Sequence, residues 1–175
     1  MRSWIAAVAT AGAFAAHALP PSLPAAVTAD VRGLRPIGEA RLRVLAWHVY
    51  DASLWGDSQA WAPDSTYALD IRYAIDVRGA DLAAKSLEEM RRLGHRDAAT
   101  LARWDEAMRR VFPDIRAGDR LVGVNLPGRG ARFYGPDGLL GSVSDPEFAQ
   151  AFFAIWLDER TSEPAMRRRL LKLAE

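Results

Sequence analysis

The sequence predicts an α+β fold, an antiparallel sheet with helices packed on one face. Three observations predict it. Arg120 to Leu157 reads as strand, Pro-Gly turn, strand, Pro-Asp-Gly turn, strand and capped helix, since Pro-fixed and Gly-permissive torsions interrupt three apolar runs at hairpin spacing. Tyr67 to Val77 alternates, with Leu69, Ile71, Tyr73, Ile75 and Val77 on one side and Asp70, Arg72 and Asp76 on the other. The elements come in blocks, β, β, β, α, α, β, β, β, α, α, and not in strict alternation, which is the ordering of an α+β protein.

The chain of 175 residues suits one domain plus a leader. Arg2 supplies a positive start, Ile5 to Ala15 an apolar stretch too short to span a bilayer, and Ala16-His17-Ala18 a small-residue cleavage site. Residues 1–18 are therefore expected to be a signal peptide and the mature protein to be periplasmic or secreted. A second cleavage site at Val27-Thr28-Ala29 is the alternative. Residues 19–30, with Pro20, Pro21 and Pro24, are expected to be a flexible arm, and residues 31–175 the folded domain.

Within that domain, Val31 to Ile37 and Arg41 to Trp55 read as two strands joined at Gly38-Glu39. The second carries apolar residues on both sides, so both faces are covered or one lines a pocket. Gly79 to Leu93 is a helix with an incomplete apolar stripe, broken by Gly94. Asp97 caps a second helix carrying Leu101, Trp104, Met108 and Val111, which stops before Pro113. After the meander, Asp145 and Pro146 start a helix with Phe148, Phe152 and Ile155 on one face. Ser162 is expected to cap a last helix, Glu163 to Leu173.

Composition excludes several functions. There is no cysteine, hence no disulfide and no thiol nucleophile. After leader removal only His48 and His95 remain, too few and too separate for a metal site. No nucleophile elbow, P-loop or dinucleotide fingerprint is present, so no metal or cofactor is expected. The formal charge of +1 falls to zero with the loss of Arg2, and a neutral, interspersed charge pattern makes a nucleic-acid partner unexpected. No segment after the leader is apolar enough to cross a membrane as a helix. Oligomeric state is not legible.

What remains is an apolar interior with a few polar groups. Arg41, Arg43, His48 and Tyr50 lie on the long predicted strand and Arg32 before it. An Arg fork and a tyrosine hydroxyl can share a carboxylate or carbonyl oxygen, the layout of a pocket for an amphipathic ligand. Arg41 and Tyr50 are nine residues apart, so a regular strand sends them to opposite faces; only a bulge between them would join them. His48 with Tyr50, and Arg41 with Leu45, are the pairs regular geometry unites.

The run Arg41 to Trp55, together with Val122 to Gly130, Gly138 to Gly141, Phe148 to Leu157 and Leu170-Leu171, resembles the bacterial chalcone isomerase-like proteins over about residues 31–173. The resemblance implies an open-faced β-sandwich. It also implies two lines of function. In plant chalcone isomerases an Arg supports a phenolate nucleophile while Thr and Tyr polarise a ketone. The Thr position corresponds here to Leu45, and Arg32-Gly33 matches the Arg-Gly pair only with an insertion. In fatty-acid-binding proteins of the same fold an Arg and a Tyr hold a carboxylate, and Arg41 and Tyr50 resemble those positions. The expectation is a non-catalytic binder of a fatty acid or similar apolar carboxylate through Arg41, Tyr50, His48 and Leu45. The alternatives are an isomerase using Arg32, or a structural or partner-binding protein of the cell envelope.

Overall fold

The computed structural model describes residues 22–58 and 60–174. Six strands form one antiparallel sheet in chain order: β1 (Arg35–Val44), β2 (Trp47–Gly56), β3 (Tyr67–Tyr73), β4 (Arg120–Leu126), β5 (Gly130–Gly135) and β6 (Gly138–Val143). Around it lie α1 (Ala25–Asp30), α2 (Gly79–Arg92), α3 (Ala98–Val111), α4 (Pro146–Leu157) and α5 (Pro164–Leu171). The α+β arrangement and the open antiparallel sheet are as the sequence predicts. The expected leader and its cleavage site at Ala18 lie outside the described residues.

The meander forms where Pro and Gly place it. Gly130 takes a φ of +105°, and a Cβ there would run into the Val143 carbonyl, so the β4–β5 turn admits only glycine. The caps also stand where predicted. Asp97 accepts from the Thr100 amide at 2.7 Å, and Asp145 from the Glu147 and Phe148 amides at 2.9 and 3.1 Å. Ser162 does not cap α5. Glu163 precedes that helix without a side-chain cap, and the Ser162 hydroxyl donates instead to Glu89 Oε2 at 3.0 Å, tying the α4–α5 link to α2.

The first strands depart from expectation. Gly38-Glu39 is not a turn but lies inside β1, beside a register shift between Pro36 and Gly38. The long strand Arg41–Trp55 is instead folded in two, with the turn at Leu45 and Ala46. Leu45 adopts a φ of 56°, a left-handed conformation that a γ-branched residue enters at a cost of about 1–2 kcal/mol. No Gly, Pro, Asn or Asp marks this turn, which is why a continuous apolar run read as one strand.

The main core fills the space between the sheet and α2–α5. Tyr50, Ala52, Leu54, Leu69, Ile71 and Tyr73 point into it from β2 and β3. The opposite face carries a second apolar cluster, in which Trp55, Ala68, Val122, Val124 and Tyr134 are buried under Leu23 and Val27. Residues 22–30, expected to be flexible, are therefore part of the fold. Val27 is buried, and the Tyr134 hydroxyl donates to Asp30 at 2.9 Å. Proline spacing suggested an arm, but Leu23 and Val27 have an apolar sheet face to cover.

Candidate functional site

Tyr50 is held on the helix side of β2. Its hydroxyl accepts the Trp156 indole N–H at 2.9 Å and approaches Met166 Sδ at 3.7 Å. Burial raises its phenol to about 12, against a smaller opposing effect of the Trp156 hydrogen bond. Tyr73 lies alongside, ring centroids 5.8 Å apart. One polar dyad thus sits at the margin of an otherwise apolar layer.

That layer is filled by rings. Phe133 meets Phe112 and Phe152 edge-on at 5.1 and 5.2 Å, and Phe153 meets Tyr67 at 5.1 Å. Edge-to-face contacts at these distances are cohesive packing. The aromatic residues of α4 are core, as their spacing implied, and they fill the space between that helix and the sheet.

Arg41 stands on the other face. It opposes Asp51 in register, while Tyr50 opposes Leu42. Its Nε donates to Asp51 Oδ1 at 2.6 Å and its Nη2 to Oδ2 at 3.2 Å. Burial works to raise the Asp51 pKa, but the Arg41 hydrogen bond and charge, helped by His48, hold it below the ordinary carboxylate value. The expected pairing of Arg41 with Tyr50 around one ligand is thus corrected. A bulge exists, but at Val49, where register passes from Leu42–Tyr50 to Arg43–His48. It lies beyond Tyr50 and cannot change that residue's relation to Arg41. Its effect is to bring His48 to Asp51, Nε2 3.3 Å from Oδ2 without an aligned hydrogen bond, and to part His48 from Tyr50.

Leu45, expected to line the pocket, is at the hairpin apex and 94 % exposed. Arg32 is exposed on the loop between α1 and β1. The next strand residue, Arg35, pairs with Gly56, which along β2 is roughly 20 Å from Tyr50. Among the described residues no three His, Asp or Glu side chains gather as a metal site requires.

A groove of about 1050 Å³ follows the free edge of β1. Its helix-side wall is Ala40, Leu42 and Ala52 with Ala165, Met166 and Arg169 of α5. Around the edge it continues over Arg41, Arg43, Asp51, Asp70, Arg72 and Arg120. Asp51 is engaged by Arg41, and Asp70 by Arg120, whose Nη2 also donates to the Ser22 carbonyl at 2.8 Å. Arg43, Arg72 and Arg169 form no ion pair among the described residues, and Glu39 and Glu163 are the remaining acids on the rim. Met166, Arg72 and Arg169 had no signal in the sequence as site residues, and Trp156 read chiefly as core, because they reach this region from strands and helices distant in the chain. A smaller hollow of about 490 Å³ between α2 and α3, edged by Arg91, His95 and Asp105, holds none of the predicted residues.

An open antiparallel sheet with four helices on one face, and a groove at its first edge, define an open-faced β-sandwich of α+β class. The chain belongs to the chalcone isomerase-like family, whose family model matches residues 23–172. Among solved structures it is similar to a fatty-acid binding protein of Arabidopsis thaliana, AtFAP1, with 13 % identity, a TM-score of 0.63, and coverage of 85 % of this chain and 90 % of that one. Comparison with curated proteins gives no match.

Proposed function

We propose that this protein is an exported, non-catalytic binder of a fatty acid or similar amphipathic carboxylate, and that the ligand lies in the groove along β1. The supporting observation is the composition of that groove. One wall is apolar, from Leu42, Ala52 and Met166, and Arg43, Arg72 and Arg169 on its rim form no ion pair among the described residues. An apolar wall bordered by a few cationic groups suits a ligand with a chain and an anionic head. Each buried methylene would contribute ~0.8 kcal/mol, and a guanidinium–carboxylate contact about 1.5–3 kcal/mol. The similarity to a fatty-acid binding protein is consistent with this and reaches only to fold at its level of identity.

Catalysis of the isomerase type is less well supported. The position corresponding to the polarising Thr is Leu45, on an exposed apex, and Arg32 is exposed on the loop before β1.

The test is titration with a fluorescent fatty acid, alongside organic extraction of protein purified from its native envelope. Saturable one-to-one binding is expected, weakened about tenfold or more in Arg43→Ala/Arg72→Ala/Arg169→Ala, as loss of charge-assisted contacts implies. Ligand-free protein with no fatty-acid uptake would overturn the reading.

A further inference from the structure

Six large hydrophobic side chains are exposed among the described residues, and four of them gather at one end of the sheet. Val44, Leu45 and Trp47 form the tip of the β1–β2 hairpin, 55, 94 and 73 % exposed, and Ile75 is 39 % exposed. Ile75 belongs to the same end, since the neighbouring Ala74 amide donates to the Val49 carbonyl at 2.9 Å. Single exposed leucines need no explanation, but a cluster does.

The apex is unusual in a second way. Its left-handed position holds Leu45, where Gly or Asn would relieve the backbone. A turn required only to reverse the chain has no use for a leucine there. The strain becomes intelligible if the side chain is wanted outside, on a projecting tip. Behind it stand Arg43, exposed and opposite His48 in register, and Arg41 one step further back, already paired with Asp51.

Trp at a water–lipid boundary, with aliphatic side chains ahead of it and arginine behind, is the chemistry of interfacial membrane anchoring. A guanidinium near the surface of an anionic leaflet adds attraction. A tip of a few side chains is small beside the ~1,000 Å² that a stable protein–protein contact needs, whereas a bilayer receives a narrow protrusion without shape complementarity. Among the described residues no helix is long and apolar enough to cross a membrane, so attachment through this end would be peripheral.

We propose that the β1–β2 tip is a membrane-docking element that inserts Val44, Leu45 and Trp47 into the interface of an anionic bilayer, with Arg43 at the headgroup level. This stands whether or not the β1 groove holds a fatty acid.

The absence of cysteine allows a single reporter to be placed at will. Leu45→Cys and, at the far end of β2, the exposed Ser58→Cys are each labelled with an environment-sensitive fluorophore in the full chain. Vesicles are phosphatidylcholine alone, or phosphatidylcholine and phosphatidylglycerol in equal parts. On the anionic vesicles the label at position 45 is expected to brighten several-fold and to be quenched by lipid-borne quenchers, while the label at 58 does neither. This position dependence separates insertion of the tip from attachment through any other part of the chain. Trp47→Ser with Arg43→Glu is expected to weaken the signal at 45 at least tenfold, with an unchanged melting temperature because both side chains are exposed. The proposal is overturned if the protein binds neither vesicle, if the label at 45 stays in water on bound protein, or if it responds to protein concentration without lipid, which would assign the tip to a second copy of the chain.

Discussion

The Trp156 indole donates to the Tyr50 hydroxyl across 2.9 Å, joining α4 to β2 at the margin of the core. Both rings are largely out of water, and the hydroxyl also faces Met166 of α5. Three elements that are far apart in the chain are thereby fixed by one phenolic oxygen. Removing that oxygen leaves the indole N–H buried without an acceptor. Tyr50→Phe is expected to cost about 1–3 kcal/mol in chemical denaturation, whereas the double variant Tyr50→Phe/Trp156→Phe is expected to lose less than the two single changes added together.

Alkaline titration reads the same environment. Burial raises Tyr50 to about 12, and Tyr67, Tyr73 and Tyr134 are also pushed upward, chiefly by burial. A raised folded-state value means that the protonated phenol favours the fold. That stabilisation is complete below the ordinary tyrosine value of about 10 and is lost as pH climbs towards the folded value. Tyrosinate absorbance of the native protein at pH ~10 should therefore fall well below that of the unfolded chain, where half of unperturbed tyrosine would ionise. Ordinary ionisation of two or more of the four would contradict the packing.

Asp145 serves two elements. It caps α4 and accepts the Trp104 indole N–H at 2.9 Å from α3. Burial alone would raise its pKa, but the Trp104 hydrogen bond and the α4 amides hold it below the usual range. The sign follows from the lowered value. Its contribution is present above the ordinary aspartate value of about 4 and disappears as pH falls through the depressed one. Asp145→Ala should cost about 2–4 kcal/mol, from the lost cap and the orphaned indole, and should flatten the acid limb of the stability profile. Asp145→Asn should retain most of the capping.

Gly38 lies in β1 where α5 passes over it. A Cβ at this position would collide with the Arg169 and Leu170 carbonyl groups. Backbone cannot rotate aside, so Gly38→Ala is expected to shift α5 outward or destabilise the fold by about 1–3 kcal/mol. Because α5 supplies one wall of the groove, fatty-acid binding should weaken in the same variant.

Val27 tests whether α1 belongs to the fold. It is fully buried against the face that carries Trp55, Val122 and Val124. Val27→Asp should place an unpaired carboxylate in that cluster and detach α1. Faster amide exchange across residues 25–30 is expected, with red-shifted tryptophan emission as Trp55 meets water. Unchanged protection there would show that α1 contributes nothing.

Much of the architecture was legible because its signals are local. Pro-Gly and Pro-Asp-Gly fix the meander by torsion alone, and Asp97 and Asp145 cap helices through amides two or three residues away. The resemblance carried by Arg41 to Trp55 led to the family that its model confirms. The site was less legible. Nine residues separate Arg41 from Tyr50, one parity shift short of a shared face, and a bulge does occur between them in the chain, yet it falls at Val49 in β2 and moves His48 instead.

Local torsion and capping chemistry, written in neighbouring residues, determined the order of strands and helices. Only the tertiary structure decided that the apolar run folds at Leu45, that Leu23 and Val27 are needed to cover a sheet face, and that Arg41 turns to Asp51 and away from Tyr50. The reason is physical. A side chain's face depends on register with the strand beside it, and the choice of an unmarked turn depends on what lies opposite each half. Neither quantity exists until the partners have met.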